Sequence, residues 1–169
     1  MTSDLAAFRA RKNQFFAHDR QSPLTPDQQR MFTGLRYFPE NPALRFELPI
    51  EPFAEQMSVV MQTTTGDQQT FVRYGRIHFT VDGHPAFLTI YRSAHGYFLP
   101  FADALAGDET YGAGRYLDPT PLADGRLHID FNLAYNPYCA YNDAWSCPIT
   151  PPENRLKLPI RAGEQVFHG

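Results

Sequence analysis

Residues 70–93, TFVRYGRIHFTVDGHPAFLTIYRS, constrain the fold of this chain more than any other stretch. Apolar side chains alternate with polar ones along the first half, namely Ile77, Phe79 and Val81 with Arg76, His78 and Thr80. A period of two is typical of a β-strand with one buried face. Asp82-Gly83 follows, and a two-residue type I′ turn needs positive φ at both central positions. The stretch therefore predicts an antiparallel hairpin with Ile77 and Phe79 in the core.

Two helices are predicted ahead of these strands. The first covers residues 3–20 and begins at Ser3 or Asp4. Its apolar side comprises Leu5, Phe8, Phe15 and Phe16. The second helix lies in SPLTPDQQRMFTGL. Its signals are Thr25 at the N-cap, Pro26 at the first helical position, Gln28 for a capping box and Gly34 as the stop.

The rest of the chain is predicted to be mainly β. Residues 37–53 contain four prolines, which exclude a long helix and favour extended chain with at most one short strand. Further short strands are predicted in MSVVMQTTT, GYFLP, GRYLD, GRLHIDFN and RLKLPIRA. About seven strands and two N-terminal helices make an α+β fold, with a curled antiparallel sheet or a β-barrel that hides the sheet edges. We expect one domain over residues 1–169, in which the helical segment 1–36 packs on a barrel-like sheet over 43–167.

Charge and hydropathy argue against two classes of partner. The net charge is -3 and no stripe of Lys or Arg follows any predicted element, so we expect no nucleic-acid binding. No apolar run approaches the length of a membrane span, so we expect no membrane association. The first residues, MTSDLAAFRARKNQFF, carry charges where a signal peptide would be apolar, which predicts a cytoplasmic protein.

Residues 130–156, DFNLAYNPYCAYNDAWSCPITPPENRL, concentrate directional side chains. The strand before them is predicted to bury Leu127, Ile129 and Phe131 and to place His128, Asp130 and Asn132 on its other face. That face could simply meet solvent, and Asn and Asp in turns often bond their own backbone. Aromatic side chains with polar tips are, however, what a ligand pocket or a buried loop requires.

The predicted ligand-binding residues come from this segment and from the strand that starts at Arg115. They are Arg115, Tyr116, Asp130, Asn132, Tyr135, Asn136, Tyr138, Glu153, Asn154 and Arg155. Because an unpaired buried charge is costly, Arg115 is predicted to pair with Asp130 or Glu153. The candidates for general acid–base catalysis are Asp130, His128, Glu109 and Glu153. No metal site is predicted, and the sequence does not identify a cofactor.

The two cysteines, Cys139 and Cys147, are separated by seven residues. A zinc site would show a second close pair or histidines at standard spacings. A disulfide is geometrically possible but disfavoured in the cytoplasm. We expect reduced, metal-free thiols that pack as small hydrophobic groups. A nucleophilic Cys139 would need a nearby base, and the candidates are His78, His84, His95 and His128.

Six motifs resemble, in order, a bacterial and archaeal family known as domain of unknown function 1684. They are FFAHDRQSPL, GLRYFP, RYGRIHF, LPFADALAGDETYGAGRYLD, DFNLAYNPYCAY and CPITPPENRLKLPIRAGE. The resemblance implies that the matched motif positions matter for folding or for chemistry, without assigning an activity. These positions are Asp130, Asn132, Tyr135, Asn136, Pro137, Cys139, Cys147, Pro148, Glu153 and Asn154. The chain departs from the family pattern at residues 104–106, where a Thr-Ser pair commonly precedes the glycine.

Three functions follow from these observations. The favoured one is binding of a small polar molecule in a pocket at one end of a β-barrel. The first alternative is a small hydrolase or lyase that uses the carboxylate and His candidates. The second is a structural module, in which the segment rich in Asn, Tyr and Pro only caps the barrel and hydrogen-bonds internally. The oligomeric state does not follow from the sequence.

Overall fold

The computed structural model of the chain describes residues 4–168 and contains two helices and nine strands within that range. The helices are α1 (Asp4–His18) and α2 (Pro26–Met31). The strands are β1 (Arg45–Leu48), β2 (Glu51–Pro52), β3 (Ser58–Gln62), β4 (Gln68–Val81), β5 (His84–Ser93), β6 (Gly96–Phe101), β7 (Arg115–Leu117), β8 (Thr120–Pro121) and β9 (Leu127–Asp130). Neither α1 nor α2 has the length and apolar character needed to cross a membrane.

Both predicted helices are present. The predicted Ser3 cap of α1 lies outside the described residues. α2 begins with the predicted capping box, in which Thr25 Oγ1 accepts from Gln28 N at 3.2 Å and Gln28 Oε1 accepts from Thr25 N at 2.8 Å. α2 ends at Met31, ahead of the predicted stop at Gly34. Phe32 is already extended there, and its ring packs against Phe16 and Phe167.

The larger sheet has the strand order β2-β4-β5-β6-β7, and β3 also pairs with β4. The β4–β5 hairpin confirms the predicted turn, because Asp82 and Gly83 have φ angles of 49° and 79°. Ile77 and Phe79 are buried as predicted, with 0% and 6% of their surface exposed. On β5 the core-facing residues are Ala86, Leu88 and Ile90.

The smaller sheet has the order β1-β9-β8 and packs its apolar face on the same core. Leu127, Ile129 and Phe131 are buried as predicted. The ring of Phe131 lies 5.4 Å from that of Phe79 and 5.2 Å from that of Phe101, which joins the two sheets. All strand pairs are antiparallel, and across residues 4–168 the sheets do not close into a barrel. The predicted mainly antiparallel α+β fold is thus confirmed, with open sheets rather than a barrel.

Two strand predictions are wrong. Residues 37–53 contain two short strands, β1 and β2, where at most one was expected. Pairing of β2 with β4 needs Gly75, because a Cβ there would lie 2.6 Å from the carbonyl oxygen of Glu51. RLKLPIRA is not a strand among the described elements. Its backbone instead makes isolated hydrogen bonds with residues distant in sequence, such as Leu156 N to Ala102 O at 2.7 Å, and Arg115 binds the carbonyl of Ile160.

Phe79→Ala should lower the free energy of unfolding by about 3–5 kcal/mol, since truncating a large core aromatic leaves a cavity. The matched control is Thr80→Ala, one residue along β4 on the exposed face. Chemical denaturation of both variants measures the effect. A Phe79→Ala midpoint close to that of Thr80→Ala would contradict the assigned core face.

Candidate functional site

Arg115 is fully buried at the start of β7 and binds backbone carbonyls. Its guanidinium donates to the oxygens of Ile160 at 2.9 Å and Glu164 at 3.0 Å, and also to that of Ala162. Buried Asp103 lies 3.8 Å away and supplies the counter-charge. Burial lowers the pKa of Arg115 to about 10, against the opposing effect of Asp103 and Glu164. Arg115 is therefore charged at neutral pH and holds the C-terminal segment in place.

The predicted pairing of Arg115 with Asp130 or Glu153 is wrong. Each of these carboxylates has an arginine of its own. Asp130 accepts from Arg45 Nε at 3.1 Å, and Glu153 accepts three hydrogen bonds from Arg73 at 2.8–3.1 Å. Because their partners lie on different strands, the three predicted residues do not converge on one point.

Glu164 is a buried carboxylate that the sequence pattern did not single out. It pairs with Lys12 of α1, accepts from the hydroxyl of Tyr141, and accepts from the backbone N–H of Asn136 at 3.1 Å. Glycine at position 163 allows this close approach of the backbone, because a Cβ there would lie only 2.7 Å from the carbonyl oxygen of Ala134. Glu164 thus connects the C-terminal segment to α1 and to residues 130–156.

Asp130 and Asn132 secure the end of β9. Asp130 Oδ1 accepts from the backbone N of Asn132 at 2.9 Å and from its Nδ2 at 2.8 Å. The Asn132 amide also pairs with the backbone of Asn41, at 2.8 and 2.9 Å. A 3₁₀ turn begins at Phe131, so Asn132 does not continue the strand face as predicted. These bonds tie the chain before β1 to the chain after β9.

Asn154 is fully buried and clamps two strands. Its Oδ1 accepts from Thr89 N at 2.9 Å, and its Nδ2 donates at 2.8 Å to the carbonyls of Thr89 and Pro100. Its neighbours Glu153 and Arg155 are exposed. The sequence PPEN therefore delivers one amide to backbone groups of β5 and β6 and leaves two charges at the surface.

The predicted tyrosines differ in their surroundings. The hydroxyl of buried Tyr116 donates to the carbonyl of Pro148, and its backbone pairs with that of Tyr135 at 2.8 and 3.1 Å. Tyr135 donates to a carboxylate oxygen of Asp118 at 2.7 Å. Burial first, and then this bond, raise the pKa of Tyr135, so the phenol stays protonated. Tyr138 is 36% exposed.

One cleft brings several predicted residues together, and we call it the β9 cleft. Its volume is about 190 Å³. It is lined by Phe8, residues 117–120, residues 128–130, Leu133 and Tyr135. Phe8 and half-buried Leu133 provide apolar lining, and Asp118 and Asp130 are among the polar lining residues. Of the four acid–base candidates, His128 and Asp130 line this cleft, whereas Glu109 pairs with Arg161 at 2.6 Å and Glu153 pairs with Arg73.

Cys139 and Cys147 are free, buried thiols that lie side by side. The backbone N–H of Cys139 donates to the Sγ of Cys147 at 3.2 Å, and the hydroxyl oxygen of Tyr111 is 3.6 Å from the Sγ of Cys139. Among residues 4–168, no group of three His, Cys, Asp or Glu side chains is placed to hold a metal ion.

Two lining residues of the β9 cleft, Asp118 and Phe8, were absent from the predicted set. Asp118 had a usable signal, because it ends the GRYLD motif directly before Pro119. Phe8 had no comparable signal, since its position depends on how α1 docks. The same is true of Lys12, whose partner Glu164 is distant in sequence.

Comparison with known proteins places the chain among uncharacterised relatives. A family described as "Protein of unknown function (DUF1684)" matches residues 30–165. The solution NMR structure of an uncharacterized protein from Haloarcula marismortui is 36% identical, with a TM-score of 0.70 over 95% of this chain and 91% of that one. No curated protein matches the chain.

Glu164→Gln should lower the free energy of unfolding by about 3 kcal/mol, because it leaves Lys12 without its buried counter-charge. A double variant with Lys12→Met should lose less than the two single losses combined, since both changes remove the same ion pair. Urea denaturation of the three variants tests this coupling. Strictly additive losses would contradict a direct interaction.

The contribution of Glu153 to stability should depend on pH. Burial alone would raise its pKa, but the hydrogen bonds from Arg73 and Tyr91 hold that pKa below its usual value. A lowered carboxyl pKa stabilises the fold above the unfolded-state value of about 4.3, and this gain is lost as the pH falls through the folded-state value. Glu153→Gln should therefore cost about 0.5–1 kcal/mol at neutral pH, a small value because the pair meets solvent.

The difference between wild type and Glu153→Gln should disappear in acid. Thermal melts at neutral pH and at about pH 2 test it, since the stabilisation is lost as the pH falls through the lowered folded-state pKa of Glu153. Glu55→Gln is the matched control, because Glu55 is also an exposed glutamate. An equal loss at both pH values would show that packing rather than charge holds Glu153.

Proposed function

The chain belongs to the family described as "Protein of unknown function (DUF1684)", and since that description names no activity, we propose from the site itself that the β9 cleft binds a small polar molecule carrying an amine. The observation that carries the proposal is the composition of the cleft. Apolar lining from Phe8 and Leu133 is combined with two aspartates, a histidine and a tyrosine around a volume of about 190 Å³. Ligand sites typically join an apolar surface to a few convergent polar groups of this kind.

Asp118 is the residue that would recognise the ligand. It is exposed, and its described hydrogen bond comes from Tyr135 at 2.7 Å. An ionised carboxylate has about four lone-pair sites, so acceptor capacity remains. Asp130, the second carboxylate, is already occupied by Asn132 and Arg45. A free acceptor beside apolar lining favours a ligand with hydrogen-bond donors and a positive charge.

The size of the cleft limits the ligand. Pockets for drug-sized molecules measure about 300–1,000 Å³, and the β9 cleft is smaller, at about 190 Å³. A ligand of a few heavy atoms fits this volume. His128 is half-buried on β9 and lines the same cleft, where it is placed to contact such a molecule.

A structural role for residues 130–156 is the second candidate, and it is supported by different contacts. The side-chain amides of Asn132, Asn136 and Asn154 each donate to backbone carbonyls. These residues secure the chain rather than line the β9 cleft. The structural role and the binding proposal can therefore coexist, because they use different side chains.

Asp118→Asn tests the binding proposal, with Asp124→Asn as the matched control. Both aspartates are exposed, and both substitutions change the net charge equally. Native mass spectrometry of freshly purified protein would detect a retained small molecule. Thermal melts with methylamine and ethanolamine, beside acetate and ethylene glycol, would detect binding, because a ligand of the folded state raises the melting temperature.

We expect the amines to raise the melting temperature of the wild type and of Asp124→Asn, and to leave that of Asp118→Asn unchanged. Turnover of a bound amine would extend the proposal to the hydrolase or lyase alternative, with His128 as the acid–base group. Equal shifts in both variants, or no shift and no retained molecule, would reject amine binding in this cleft.

A further inference from the structure

We propose that Cys139 and Cys147 form a redox-active dithiol that a small hydroperoxide oxidises to a reversible disulfide. The cleft beside Cys139 shares no lining residue with the β9 cleft, so the proposal is independent of the binding function. Three observations carry it. They are the contact between the two cysteines, the polar groups around the Cys139 thiol, and a solvent cleft beside it.

The two cysteines are held against each other by the backbone. Cys139 lies in the 3₁₀ turn Tyr138–Ala140, and its N–H donates to Cys147 Sγ at 3.2 Å. Cys147 is fixed in turn by Thr64, whose Oγ1 accepts from Cys147 N at 3.2 Å and whose N–H donates to the Cys147 carbonyl at 3.0 Å. The second thiol therefore lies beside the first without a large movement of the chain, as disulfide formation requires.

The surroundings of Cys139 differ from those of an inert core thiol. The hydroxyl of Tyr111 lies 3.6 Å from its sulfur. The hydrogen bond from Cys147, supported by Tyr111 and Thr64, lowers the pKa of Cys139 although burial opposes it. The same contact raises the pKa of Cys147. The thiolate is the reactive form of cysteine, and of the two cysteines it is Cys139 that lines the adjacent cleft. Attack is therefore assigned to Cys139 and resolution to Cys147.

A cleft gives reagents a route to Cys139. It has a volume of about 370 Å³, and its lining includes Cys139, Gln28, Asn142, Asp143 and His168. Polar side chains, among them Thr25, Asn142, Asp143 and His168, line it beside Cys139, which suits hydrogen peroxide better than a lipid hydroperoxide. Gln28 Nε2 donates to the Tyr141 carbonyl at 2.8 Å and thereby holds α2 at the edge of this cleft.

The chemistry balances in two steps. The Cys139 thiolate attacks one peroxide oxygen, the O–O bond breaks, and the leaving hydroxide takes a proton to become water. Cys139 is then a sulfenic acid. The Cys147 sulfur attacks the sulfur of Cys139, its thiol proton joins the departing hydroxide as a second water, and the S–S bond forms. The two cysteines lose two electrons, the peroxide gains them, and an external thiol reverses the reaction.

The test exposes reduced full-length protein to hydrogen peroxide at neutral pH and follows its intact mass. We expect the loss of two hydrogens, a peptide that links Cys139 to Cys147, and recovery of the starting mass with dithiothreitol. Unchanged mass under conditions that oxidise glutathione would overturn the proposal. Disulfide-linked dimers would also overturn it, because the chain contains only these two cysteines.

Single substitutions test the order of the steps. Cys147→Ser should stop at one added oxygen that dimedone traps, whereas Cys139→Ser should gain none. Equal oxidation of the two variants would reject the assigned roles.

Circular dichroism checks that both cysteine variants fold. If either does not, Tyr111→Phe provides the test, because loss of its hydrogen bond should slow oxidation by roughly 3- to 10-fold. Tyr138→Phe is the matched control and should oxidise at the wild-type rate, and equal rates in these two would also count against the proposal.

Discussion

The buried guanidinium of Arg115 is the constraint on which the rest of the structure depends. A charged group of this size cannot remain in an apolar interior without partners, and its donors are met by carbonyls of Ile160, Ala162 and Glu164, with Asp103 as the counter-ion. Those carbonyls are consequently turned away from strand pairing. The C-terminal segment is held as an irregular strap across the sheets, and it delivers Glu164 to Lys12, which ties α1 to the body of the protein.

Most of the unusual polarity of residues 130–156 follows from a related requirement, that buried backbone groups form hydrogen bonds. A chain that leaves a strand without entering another must still satisfy its backbone groups. Asn132 bonds the backbone of Asn41, Asn136 bonds that of Gln165, and Asn154 bonds those of Thr89 and Pro100. The side-chain amides act here as substitutes for a neighbouring strand. Aromatic rings pack against one another in the same region, as the edge-to-face pair of Tyr116 and Tyr135 shows at a centroid distance of 5.8 Å.

We assign ligand binding and redox chemistry to side chains that these structural contacts do not use. Asp118 retains acceptor capacity beside apolar lining. The sulfur of Cys147 lies against the backbone N–H of Cys139, and the sulfur of Cys139 lies near the hydroxyl of Tyr111. A rigid scaffold that positions reactive groups in loops is a common arrangement in proteins, because loops tolerate side chains that a close-packed core would exclude.

Local patterns in the sequence by themselves determined the helices, the β4–β5 hairpin and the buried faces of β4 and β9, since period, capping and turn chemistry act between residues close in the chain. They also identified residues 130–156 and, with them, His128, Asp130 and Tyr135 of the β9 cleft. Only the tertiary structure decided which charges meet. Arg115 pairs with Asp103 instead of Asp130 or Glu153, and Lys12 meets Glu164 across most of the chain length. The physical reason is that a charge selects its partner by distance in space, and that distance is set by how the sheets, the strap and α1 pack together.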